Sequence, residues 1–198
     1  MRMATKLADL LSRGPSPLTQ RDRIIFVSLT LVLFVVIFRP ALVYMSQWRG
    51  DQYWMTGDRE GGIRSYKKAL LLDPGNLRIH EDLGYVYQQT EKLDYSIRHY
   101  EEALKVEPNK AENHFYLGMS LFKKGDLKTA IPHFKRAIDL DPQLRLSYFS
   151  LAKSYEKANQ PEKSIAVYRL MQKRFPKMEG LDERIRRLEQ LKNSRTES

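Results

Sequence analysis

The side chains best suited to chemistry in this sequence are four histidines, His80, His99, His114 and His133. An imidazole can relay protons near neutral pH or bind a metal. Their spacing argues against both uses. His80 and His114 stand 34 residues apart, as do His99 and His133, so each marks a recurring position and not a converging site. No H-E-x-x-H segment sets two of them on one helix face beside a carboxylate, and without cysteine no thiolate can join them. Nucleophile elbow, P-loop and dinucleotide fingerprint are all missing, and the carboxylates are scattered among other charges. The sequence predicts no catalytic residue, no metal site and no cofactor, and therefore a chain that is not an enzyme.

The period that disqualifies the histidines organises the rest. Pro74, Pro108, Pro142 and Pro176 also fall 34 residues apart. Eight residues before each stands an aromatic (Tyr66, Tyr100, Phe134, Tyr168), and twenty-four before each a small residue (Gly50, Gly84, Gly118, Ala152). A second small position (Gly62, Ser96, Ala130, Ser164) and a row of alanines (Ala69, Ala103, Ala137) keep the same step. This pattern resembles the tetratricopeptide repeat, a 34-residue helix–turn–helix unit. The resemblance covers about two-thirds of the chain and implies an all-α fold: a right-handed solenoid of about four helix pairs closed by a C-terminal capping helix and preceded by one transmembrane helix. The expected divisions are an N-terminal segment (1–18), an anchor (19–42), an array (43–178) of four repeats (43–76, 77–110, 111–144, 145–178), and a capping helix with tail (179–198). Small residues let paired helices approach, the aromatic fills the remaining space, and each proline stops the second helix because the residue before it avoids the α region. The first repeat is looser, with Arg49 where leucine is usual. Leu181, Ile185, Leu188 and Leu191 recur at helical spacing in the expected cap, and Asn193 to Ser198 reads as a disordered tail.

In such arrays the first helix of each repeat lines a concave groove that grips a peptide or helix. Carried over by position, the resemblance implies a groove holding Trp54, Tyr85, Gln88, Phe115, Met119, Phe122, Phe149 and Lys153. Aromatics and methionine anchor interfaces well. Relatives that clamp a chaperone's C-terminal carboxylate use lysine, asparagine and arginine at set groove positions. Here those positions hold Glu81, Tyr85, Tyr116, Leu146 and Ser150, which points to an apolar segment as the ligand and away from a carboxylate clamp.

Ahead of the array, Ile24 to Phe38 carries no charge over fifteen residues. Alone it spans about 22 Å; extended to Met45 it reaches about 33 Å, enough for a bilayer, with Arg39 free to snorkel. No small-residue cleavage site follows, so an uncleaved anchor is expected. Thr19 is placed to cap the helix, and Pro40 either kinks one long helix or opens a new one. Met1 to Arg13 reads as a short amphipathic helix or a disordered tail, followed by the breaker Gly14-Pro15-Ser16-Pro17. Five basic residues precede the apolar run (Arg2, Lys6, Arg13, Arg21, Arg23) and two follow closely (Arg39, Arg49). That bias favours a cytoplasmic N-terminus and an extracytoplasmic array. The net charge of +10 divides as +4 over residues 1–39, +6 over 40–178 and 0 thereafter. So diffuse an excess predicts no nucleic-acid binding, which wants basic residues on one face among stacking aromatics. No small-molecule substrate is expected either.

The expected function is a membrane-anchored scaffold for a partner protein, of the kind that serves assembly of envelope complexes. The alternatives are a permanent structural subunit and a cytosol-facing receptor for targeting signals.

Overall fold

The computed structural model describes residues 19–196, so the expected N-terminal segment at 1–18 and residues 197–198 lie outside it. Among the described residues the chain runs α1 (Gln20–Met55), α2 (Arg59–Leu72), α3 (Leu77–Gln89), α4 (Leu93–Val106), α5 (Ala111–Lys124), α6 (Leu127–Leu140), α7 (Arg145–Lys157), α8 (Pro161–Arg174) and α9 (Leu181–Thr196). Successive helices pack in pairs, α1 with α2 through α7 with α8, and each pair stacks on the next. The result is an all-helical solenoid closed by α9.

The small and aromatic rows meet inside each pair. A Cβ on Gly84 would stand 2.9 Å from the Tyr100 ring, and one on Gly118 2.8 Å from Phe134. The rings fill the space that glycine leaves, so Tyr100, Phe134 and Tyr168 are almost wholly buried, above the alanines 69, 103 and 137 at 0 % exposure. Helices α2, α4, α6 and α8 each stop two residues before a repeat proline. Asp73, Glu107, Asp141 and Phe175, just before those prolines, lie at φ −137°, −131°, −129° and −126° with positive ψ, outside the α region.

A further row escaped the sequence reading. The turn inside each pair holds one residue in the left-handed region: Gly57 (φ 83°), Glu91 (56°), Gly125 (92°) and Asn159 (58°), again 34 apart. Only two are glycine, so the signal is weak to the eye, and Glu91 adopts a backbone that its side chain disfavours.

At the N-terminal end, α1 begins immediately after Thr19 and runs unbroken through Pro40 into the first pair. Its apolar stretch is left largely uncovered by the other described residues: Val27, Leu29, Val32, Leu33, Phe34, Val35, Val36 and Ile37 are all more than half exposed. It is the one described helix long and apolar enough to cross a membrane. Arg39, expected to be free, instead donates its Nε to the carbonyl of Leu72 at the far end of α2. At the C-terminal end, Leu181, Ile185 and Leu188 are buried against Tyr148, Ile165, Tyr168 and Met171. Leu191, the fourth member of the expected stripe, stays about half exposed. The expected tail is corrected in part: α9 continues through Asn193 to Thr196, a segment without glycine or proline to break it.

Two substitutions separate these effects. Gly118→Ala forces the Phe134 ring to move and should cost on the order of 1–3 kcal/mol. Glu91→Gly relieves the left-handed strain and should raise stability by about 1 kcal/mol, less whatever its exposed ion pair with Lys123 contributes. Thermal melts followed by circular dichroism should show opposite shifts.

Candidate functional site

The first helices of the pairs, α1, α3, α5 and α7, run side by side, with α3 touching α5 and α5 touching α7. Their inward residues form the candidate groove, which has two chemically distinct halves.

The half nearer α1 is edged by Trp54 and Tyr85, whose rings meet edge to face at 5.9 Å. Beside them opens a cavity of about 420 Å³ lined by Arg78, Glu81, Tyr85, Asn113 and Tyr116. Its charges are largely internally paired. Lys110 Nζ lies 2.6 Å from Glu81, and Asp82 accepts from both Arg78 and Gln47 at 3.1 Å. Burial holds the Asp82 carboxyl above the usual range, against the pull of Arg78. Asn113 is 1 % exposed, and its amide nitrogen has no hydrogen-bond partner among the described residues.

The half nearer α9 is aromatic and cationic. Lys157 Nζ stands 5.1 Å over the Phe122 ring, while Lys153 Nζ and Arg184 Cζ lie 4.9 and 4.8 Å from the ring of Phe149. Ser150 points its hydroxyl at the Met119 sulfur, 3.3 Å away. A cavity of about 660 Å³ follows, lined by Phe149, Met178, Leu181 and Leu191 and by charges of both signs, Arg184 and Arg187 with Glu179 and Glu183. Glu156 also faces it but is engaged, accepting the Tyr168 hydroxyl at 2.7 Å. Burial and that carboxylate together hold the Tyr168 phenol above its ordinary value.

Family models described as tetratricopeptide repeat match residues 82–145 and 146–177. The array is a tetratricopeptide-repeat solenoid. Among solved structures it is similar to a MamA crystal structure, at 26 % identity and a TM-score of 0.72, covering 79 % of this chain and 85 % of that one. It shares its fold with Pseudomonas aeruginosa pilF, at 17 % identity and a TM-score of 0.64 over 79 % of this chain and 71 % of that one. It also shares its fold with the first TPR of Spaghetti (RPAP3) bound to the HSP90 peptide SRMEEVD, at 18 % identity and a TM-score of 0.57 over 60 % and 94 %. No curated protein matches the chain in sequence.

Of the eight residues expected in the groove, the TPR array leaves six on or near its surface. Tyr85 and Lys153 are exposed, and Trp54, Met119, Phe122 and Phe149 are half-buried. Two expectations need correction. Gln88 is buried, its Nε2 donating to the Tyr116 carbonyl at 3.1 Å and to Ser120 Oγ at 2.7 Å. Phe115 is buried in the middle core against Tyr116 and Phe134. Both hold repeats together and leave nothing for a ligand. Residues that position alone did not single out, Arg184 and Arg187, join the site.

The histidines prove to be paired across helices. His80 Nε2 donates to the Pro74 carbonyl at 2.8 Å, which leaves its Nδ1 to accept from His99 Nδ1–H at 3.1 Å. One repeat later, His114 binds the Pro108 carbonyl and accepts from His133 in the same way, at 3.0 and 3.1 Å. Among the described residues no group of three or more metal-ligating side chains converges.

These pairs tolerate protonation poorly, since a second Nδ1–H would face the first. Burial, with His80 beside it, pushes His99 down to about 4 from its ordinary 6.5; Lys67 adds to this and Glu102 opposes it. Burial also lowers His114 and His133. The unfolded chain therefore binds more protons than the folded one below about pH 6.5. Stability is complete above that value and falls as pH drops toward 4. Melting of the wild type from pH 7 to pH 5 should show a loss of about 1 kcal/mol from the His80–His99 pair, discounted because water reaches the His99 ring, with a loss of the same sign from His114 and His133. In a His99→Gln, His133→Gln double variant that slope should flatten.

Proposed function

We propose that the protein is a membrane-anchored TPR scaffold. It holds a peptide or helix of a partner protein in its concave groove, close to the bilayer, and supports assembly or biogenesis of a membrane or envelope complex. The observation that carries this reading is the continuity of α1, whose exposed apolar stretch passes without a break into the first groove helix. A fold relative holds the HSP90 peptide SRMEEVD, an acidic segment with apolar members. The groove near α9 suits ligands of that general character. Phe122 and Phe149 offer ring faces to apolar side chains, and Lys153, Lys157 and Arg184 around them offer charge to acidic ones. The clamp positions remain unsuited to a terminal carboxylate, so recognition is of an internal segment. The basic bias ahead of the apolar run favours a cytoplasmic N-terminus and an array outside.

A photocrosslinking residue at position 149 or 153, in the full chain in native membranes, should trap a discrete partner protein. Lys153→Glu combined with Arg184→Glu should weaken its capture about tenfold, or roughly 1.4 kcal/mol, without altering the melting temperature. Crosslinks to lipid alone would overturn the groove reading. A partner that stays stoichiometric through detergent extraction would mark a permanent subunit.

A further inference from the structure

The anchor and the array meet at a cleft that the scaffold reading does not use. Along α1, residues 36, 39, 40, 43, 44 and 47 follow one another at three- and four-residue steps and so form a single stripe. That stripe faces the turn between α2 and α3 across a cleft of about 530 Å³, whose lining includes Val36, Arg39, Pro40, Tyr44, Asp73 and Asn76. The cleft is about 16 Å long by helical rise, and its polarity changes along that length. It starts on the exposed apolar run at Val36 and ends among the side chains of the Asp73–Asn76 turn.

Three groups in it want partners of definite chemistry. Arg39 spends one guanidinium nitrogen on the Leu72 carbonyl, leaving the two terminal nitrogens for an oxyanion. Pro40 has no N–H, so the carbonyl of Val36 loses the intrahelical donor that a residue four positions later would supply. At membrane depth such a carbonyl needs a donor from elsewhere. Asp73 accepts Asn76 Nδ2 at 2.8 Å through one carboxylate oxygen and brings a negative charge to the polar end. A cation, an anion and a freed carbonyl thus line one cleft that opens onto an apolar helix face. Leu71, next to Leu72 at the end of α2, is 83 % exposed.

We propose that this cleft holds one zwitterionic aminophospholipid. Its phosphate sits on Arg39, its primary ammonium serves Asp73, and an acyl chain lies along α1 from Val36 toward the N-terminus. The lipid fills the junction where anchor and array diverge and sets the Asp73–Asn76 turn at headgroup level, with Leu71 dipping below it. A quaternary ammonium cannot donate a hydrogen bond to Asp73, and an anionic headgroup would place like charge against it. The inference rests on α1 crossing the bilayer.

Native mass spectrometry of the full chain in mild detergent, supplied with equal phosphatidylethanolamine, phosphatidylcholine and phosphatidylglycerol, tests it. The wild type should retain one phosphatidylethanolamine at about tenfold the level of either competitor. Arg39→Gln should lose that preference. Because Arg39 also ties α1 to α2, Val36→Trp supplies a second arm, filling the cleft while sparing the Leu72 hydrogen bond. It should lose the lipid with the helical signal and melting temperature unchanged. Undiminished retention in Val36→Trp, or equal retention of the three lipids by the wild type, overturns the proposal. Carbonate washing of membranes separates the two layers of the argument. Release of the chain would remove the anchor and the lipid site together, whereas a chain that stays, with retention unmoved by Val36→Trp, would remove the lipid site alone.

Discussion

The contact on which the solenoid depends is an aromatic ring pressed onto a helix backbone where no side chain stands. Tyr66 lies over Gly50, Tyr100 over Gly84 and Phe134 over Gly118, each so close that a single Cβ would collide with the ring. Two helices can then approach within the reach of one large planar side chain, and dispersion contacts along that ring replace many weaker ones. Each pair is thereby fixed in separation and angle. Three of the four repeats use this device and the fourth sets Ala152 in the glycine's place, so successive pairs are built alike and stack into a solenoid.

Stacking adds a second constraint, polar where the first is apolar. Ser96 Oγ donates to the carbonyl of Gly84 at 2.8 Å and lies 2.8 Å from Ser120 Oγ, which in turn receives Gln88 Nε2. This chain links both helices of the second repeat to the first helix of the third, and all three side chains are buried. A buried amide needs its partners, so Gln88 has one satisfactory position, and with it the offset between neighbouring repeats is fixed. The histidine pairs do comparable work at the proline edge, each binding the carbonyl of a repeat proline and a histidine of the following helix.

The repeat was legible because its signals are chemical extremes at fixed intervals: proline, glycine and aromatic, 34 residues apart. The groove was legible only in part. Carrying positions over from the family treats all repeats alike, but exposure depends on the neighbour. Gln88 and Phe115 lie inside the stack, where the adjacent first helices close over them. Phe149, at the same repeat position as Phe115, has α9 as its following neighbour, and the cavity left there keeps its ring partly open. The left-handed turn row was hidden because glutamate and asparagine occupy two of its four places. Histidine recurrence was read correctly as a repeat feature, yet the pairing of His80 with His99 depends on packing that spacing alone does not specify.

The placement of Pro40 matters for how the parts act together. A proline inside a helix removes one hydrogen bond and ordinarily weakens or bends it there. In this chain the weak point is spanned from the side, since Arg39, its immediate neighbour, reaches the last turn of α2. Val43, three residues further on, is buried with Ile63, Tyr66 and Ala69 in the first core cluster. The helix is therefore gripped by the array from within one turn of the proline, and bending at Pro40 is opposed by the packing of α2. Under the proposed reading of α1 as a membrane anchor this has a mechanical consequence. The same rigid element sets the direction of the apolar stretch and forms the first wall of the groove, so a segment held against Trp54 and Tyr85 keeps a restricted angle to the anchor. A flexible linker in that place would give reach without direction.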